Sequence, residues 1–144
     1  MTPAPGELTQ QELTEEDLAV LRSMFDLART GDTARLAEAL DAGIPVNLTN
    51  GSGDTLLILA AYHVHPDTVA ALLERGADTG RVNDRGQTAL AAAVFRRCER
   101  SVALLLEAGA DPALGPRSAL DVARHFDLPD MLALLTPGRS TAAG

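Results

Sequence analysis

Aromatic residues are scarce in this chain of 144 residues, which has no Trp, one Tyr and three Phe. A core assembled without them rests on Ala, Leu and Val, a composition suited to short helices packed closely together. Cysteine is almost missing, and the single Cys98 excludes an internal disulfide. Lysine is missing altogether, so every cation is an arginine. The 20 acidic residues outweigh 12 basic ones and leave a formal charge of −8. That balance argues against general nucleic-acid binding, which needs a basic face to neutralise phosphates. No apolar run approaches the roughly 18 residues of a membrane span. The opening stretch MTPAPGELTQQELTEED has neither the basic start nor the apolar segment of a secretory leader. These absences point to a soluble cytoplasmic protein, and the length to one domain.

What the chain does have is an internal repeat. Gly53–Asp78, GDTLLILAAYHVHPDTVAALLERGAD, returns 33 residues later as Gly86–Asp111, GQTALAAAVFRRCERSVALLLEAGAD, with 12 of 26 positions identical. The identities fall on glycines and apolar positions: Leu57/Leu90, Ala60/Ala93, Val69/Val102, the Leu-Leu-Glu run and the closing Gly-Ala-Asp. A fixed period of this size marks a stacked repeat architecture.

The rest of the chain reads as further copies, caps and tails. Thr14 and Asp17 form an acidic capping box that starts a helix running to Arg29, with Leu18, Leu21, Phe25 and Ala28 at helical spacing. A second helix is expected over Thr33–Asp41. Gly43, Gly76 and Gly109 are spaced by 33 and stand where a left-handed residue closes a helix. Asn50-Gly51 favours a tight hairpin-like turn. Thr55 and Thr88 each open a short helix, and Pro66 starts a partner helix. A shorter offset of 30 places Ser118 under Thr88 and Pro129 under Glu99, giving a fourth pair over Ser118–Phe126 and Pro129–Leu135. The predicted architecture is all-α: an α-solenoid of about four helix-turn-helix repeats joined by hairpin-like loops. The repeat domain covers about residues 13–136, in units at about 22–50, 51–83, 84–115 and 116–136, between flexible tails at 1–12 and 137–144.

Gly53-x-Thr55-x-Leu57, Ala60-Ala61, Leu72-Leu73 and Gly76-Ala77-Asp78, with their copies one unit on, resemble the ankyrin repeat, and the likeness covers about residues 22–136. The family's Thr-Pro-Leu-His opening is altered in each unit, to Thr55-Leu56-Leu57-Ile58, Thr88-Ala89-Leu90-Ala91 and Ser118-Ala119-Leu120-Asp121. Its inter-helix Gly-His survives only as Val64-His65. The resemblance implies a small free-standing scaffold or adaptor. It would be non-enzymatic and monomeric, would carry no cofactor, and would bind another protein rather than nucleic acid or membrane. It also implies where the partner sits: Ser52, Asp54, Arg85, Gln87 and Arg117 at the hairpin tips, and Tyr62-His63, Phe95-Arg96 and His125-Phe126 at the ends of the first helices. In the repeat alignment Tyr62, Phe95 and His125 fall in one line, an expected aromatic ladder. Against it stands the possibility that Phe95 and Phe126 pack onto their own second helices.

Other chemistry is weaker in the sequence. His63 and His65 with Asp67 suggest a metal site, but the counterpart of His65 one unit on is Cys98, and no second His/Cys cluster has zinc-site spacing. Arg96, Arg97 and Arg100 surround Cys98, yet no base is placed to activate it, so a plain free thiol is expected. Gly51-Ser52-Gly53 lacks the preceding strand and following lysine of a phosphate loop and reads as a turn. Glu15, Glu16 and Asp17 leave open an inhibitor- or immunity-type role in which the acidic helix mimics a charged ligand.

Overall fold

Each first helix begins where a hydroxyl can take a free backbone N–H. Thr14, Thr55, Thr88 and Ser118 accept from the N–H of Asp17, Ile58, Ala91 and Asp121 respectively. The computed structural model describes residues 14–136, so the two tails expected at 1–12 and 137–144 lie outside the described residues. Within them the elements are α1 (Glu15–Thr30), α2 (Thr33–Asp41), α3 (Leu56–Tyr62), α4 (Pro66–Glu74), α5 (Ala89–Phe95), α6 (Glu99–Glu107), α7 (Ala119–His125) and α8 (Pro129–Leu135). The fold is an all-α solenoid. α1, α3, α5 and α7 form an inner layer in which each helix touches the next, and α2, α4, α6 and α8 form an outer layer stacked the same way.

The two layers have different burial. Leu56–Ala61 of α3 and Ala89–Val94 of α5 are buried on every side, because each of these helices is flanked by a neighbour on both sides and backed by its own partner. The outer helices bury a single stripe: Thr68, Val69 and Leu72 of α4, then Ser101, Val102 and Leu105 of α6. Leu57, Leu72, Leu90 and Leu105 are almost fully enclosed, each contributing about 1.5–3 kcal/mol of transfer free energy. Ala60 and Ala93 have no exposed surface, and their small side chains let adjacent inner helices approach.

The outer helices end as their glycines require. Gly43, Gly76 and Gly109 have φ of 116°, 82° and 93°. The residue after each returns its N–H to a carbonyl five residues back, as in Ala77 to Leu72 and Ala110 to Leu105, the bond of a Schellman motif. The turns between paired helices need the same backbone but lack glycine in three of four cases: Gly31 is followed down the stack by Val64, Arg97 and Asp127, at φ of 63°, 57° and 51°. Gly31 is the exception because a Cβ there would lie 2.5 Å from Nδ1 of His65. The His65 ring crosses from the second unit into the first and bonds the Arg29 carbonyl through Nε2 at 2.7 Å.

The first two connections are hairpins, closed by Asn50 N–H to Asp54 O and Asn83 N–H to Gln87 O. Around the first turn the Gly53 N–H donates to the Asn50 carbonyl, and Thr49 bridges Thr55. The left-handed residue is Gly53, with Gly86 in the next unit, and not Gly51 of the Asn-Gly pair. Asn50 Oδ1 accepts the N–H groups of Ser52 and Asp54, and Asn83 Oδ1 accepts those of Arg85 and Gln87. Adjacent connections are stitched by Asp84 N–H to Ser52 O and by Arg117 N–H to Gly86 O.

Candidate functional site

The hairpin tips and the C-terminal ends of the inner helices face one another across a cleft of about 520 Å³. Its lining brings together Tyr62, Arg85, Gln87, Phe95, Arg117, His125 and Phe126, residues 64 positions apart at the extremes but gathered because equivalent positions of stacked units fall side by side. A smaller cleft of about 210 Å³ continues from it and shares Tyr62, Arg85 and Gln87, adding Ser52, Asp54 and His63. Ten of the eleven residues expected at a partner surface line one or the other cleft; Arg96 is joined to them through Tyr62.

An aromatic row forms the floor. Tyr62 and Phe95 are nearly parallel, with centroids 6.2 Å apart and planes 9° apart. Phe126 meets Phe95 edge-on at 5.4 Å. Such pairs contribute about 0.5–1.5 kcal/mol beyond buried area. The ring that meets Phe95 is therefore that of Phe126, in place of the His125 rung expected from the repeat alignment. His125 closes α7 at the position equivalent to Phe95, but the apolar ring one residue later covers the Phe95 edge. The imidazole packs edge-on against Phe126 at 4.8 Å. Phe95 is 41% exposed and Phe126 51%, so neither is packed away against its own second helix. Arg96 places its guanidinium carbon 5.3 Å from the Tyr62 ring centre, within cation–π range.

Asp54 does not belong to the open surface. It is 4% exposed, and its Oδ1 accepts from Asn83 Nδ2 of the next hairpin at 2.8 Å. Arg85 approaches its other oxygen at 3.7 Å. Asp54 is thus a tie between hairpins that holds Arg85 over the cleft. Asp121 is similarly engaged, accepting the Ser118 N–H in a capping box. His63 stands edge-on to Tyr62 at 5.2 Å. Partial burial, followed by the positive charges of His65, Arg29 and Arg96, holds its imidazole below the usual histidine range.

Some lining residues carry no signal in a single repeat unit. Pro116 lies against Gly86, where an added Cβ would come within 2.7 Å of the proline Cγ. The offset of 30 places these two residues in register, so the alignment of the last unit contains that contact. Asp121 and Val122 line the wall only because the fourth unit closes the cleft.

The other candidate groups are placed elsewhere. His65 turns toward the first unit, while His63 faces the cleft. Cys98 is half-buried with its Sγ 3.4 Å from the Ser101 hydroxyl. Among the described residues no three His, Cys, Asp or Glu side chains gather as metal ligands, and no helix is long and apolar enough to cross a membrane. Asp17 is spent on the cap of α1, accepting the Thr14 N–H at 3.0 Å.

Comparison with known proteins matches a family model described as ankyrin repeats (3 copies) to residues 24–114. A Pseudomonas aeruginosa protein named as an ankyrin repeat protein is 46% identical over 69 residues, 48% of this chain. The match spans 38% of that relative's own length.

Proposed function

Because the chain belongs to the ankyrin repeat family, we propose that it is a non-enzymatic module that binds another protein in the cleft between its hairpin tips and inner-helix ends. Ankyrin repeats are in general protein–protein interaction modules, and here one observation favours this face: the row Tyr62–Phe95–Phe126 is left partly open to solvent while enclosed by arginine-bearing walls. Aromatics and arginines are the residue types that dominate interface energies once desolvated. Ser52, Gln87, Arg85 and Arg117 supply the tip side of the contact, and His63, Arg96, His125 and Phe126 the helix-end side.

Rigid presentation is the mechanism. The hairpins are held by Asn50, Asn83 and Asp54, and the helix ends by the packed inner layer. The side chains that meet the partner are already ordered, so less conformational entropy is lost on association. The protein acts in this reading as a monomeric adaptor, without a cofactor and without chemistry of its own.

The double change Tyr62→Ala and Phe95→Ala tests it. Capture of the partner from native lysate should fall by at least about tenfold, as expected when central aromatic contacts are removed, while the helical circular dichroism stays as in the wild type. Undiminished capture would place the partner on another face.

A further inference from the structure

We infer that the occupant of this cleft is an acidic linear segment of a partner protein, with a large apolar side chain set between carboxylates. This rests on the proposed function and adds the chemistry of what is bound. The argument begins with charge. The chain as a whole carries −8, yet Arg85, Arg96 and Arg117 converge on the aromatic row. Among the described residues Arg96 and Arg117 have no carboxylate within ion-pairing distance, and Arg85 reaches only the distal oxygen of Asp54, at 3.7 Å.

The two carboxylates in the cleft walls offset this set only in part, Asp54 at Arg85 and neither at Arg96 or Arg117. Asp54 is buried and bonded to Asn83, and Asp121 caps α7. Two guanidinium groups beside exposed rings, those of Arg96 and Arg117, therefore lack the carboxylates that a ligand would provide, and Arg85 has only its long pairing with Asp54, short of the charge-assisted geometry arginine favours. The rings supply the apolar half of the recognition. Tyr62 to Phe126 spans at most about 12 Å over two ring spacings, close to four residues of extended chain at about 3.3 Å each. The site accordingly suits a short stretch in which carboxylates flank one or two apolar residues.

The chain's own flanking segments fit poorly. Residues 137–144 carry no acidic side chain, and residues 1–13 place Leu8 beside Glu7 with the next carboxylate, Glu12, five positions from Glu7, beyond the roughly four residues the row spans. The occupant is thus assigned to another protein, as a segment opposite in charge to the arginines of the cleft.

The test is selection from a displayed library of random peptides of about ten residues, followed by fluorescence anisotropy of the enriched peptides. Each is measured on wild type, Arg96→Glu, Arg117→Glu, the milder Arg85→Gln, and Tyr62→Ala/Phe95→Ala, all checked for folding by circular dichroism. Enriched peptides should be net acidic with at least one large apolar residue. Binding should weaken at least about tenfold on each charge reversal and fall with added salt. Neutral or basic peptides that still depend on Tyr62 and Phe95 would overturn the acidic occupant and leave the cleft standing as the binding site. Peptides indifferent to every variant would overturn both. Failure to enrich any peptide would overturn recognition of a short linear segment. Sedimentation showing a dimer abolished by Arg117→Glu would replace the partner segment with a second copy, and tighter binding of a labelled oligothymidylate would replace it with single-stranded nucleic acid.

Discussion

At the scale of single residues, three non-glycine residues among those described hold a left-handed backbone, and Val64 is the β-branched one of them. Val64 holds φ at 63°, a conformation that a β-branched residue adopts only at a cost of about 1–3 kcal/mol. Glycine relieves that strain but adds about 0.5–1 kcal/mol of unfolded-state freedom. Val64→Gly is therefore expected to stabilise the protein by about 1 kcal/mol in urea unfolding; an unchanged or lowered midpoint would show that Val64 is relaxed. His63 governs a second expectation. Its folded pKa lies below the ordinary 6.5 through burial and the neighbouring His65, Arg29 and Arg96 charges. Between the two pKa values the unfolded chain binds the extra proton, so stability is present above about pH 6.5 and declines as pH falls below it. His63→Gln should flatten that decline when the two proteins are unfolded in parallel from about pH 7 to about pH 5. Parallel curves would contradict the assignment. The glycines that close the outer helices were legible as residues because Gly43, Gly76 and Gly109 are the type their backbone demands. Val64 was not, because its side chain gives no sign of the left-handed backbone beneath it.

At the scale of elements, hairpins matter more than helices. Asn83 secures its own loop through Oδ1 and the buried Asp54 of the preceding loop through Nδ2. Asn50 secures its own loop in the same way through Oδ1. Asn83→Ala should cost about 1–3 kcal/mol, chiefly by leaving the Asp54 carboxylate without its donor. Asn50→Ala should cost less, a difference that chemical denaturation of the pair would measure. Equal losses would mean that the loop bonds, and not the tie between loops, carry the energy. The helices were readable from capping hydroxyls, apolar spacing and prolines, so α2, the start of α4 and the shortened fourth pair fall where the sequence places them. The hairpin ties were not readable. Asp54 is a tip residue by alignment, and its burial depends on a partner 29 residues away whose side chain points back into the preceding unit.

At the scale of the whole molecule, the stack creates the candidate site. No single unit contains it, since Tyr62, Phe95 and Phe126 come from three successive pairs and touch only because those pairs are in register. The sequence placed the components on one face by repeat equivalence. It did not specify the last rung, because repeat equivalence points to His125 while the ring that meets Phe95 belongs to the next residue, Phe126. The most direct measurement of the central claim is site-specific photocrosslinking. A benzophenone side chain is introduced in place of Phe95 in the cleft or of Ala103, exposed on α6 of the outer layer, and the protein is irradiated with its partner. The account predicts a discrete product from position 95 that excess wild-type protein suppresses and excess Tyr62→Ala/Phe95→Ala does not, with none above background from position 103. The same product from position 103, or from both positions equally, would contradict it.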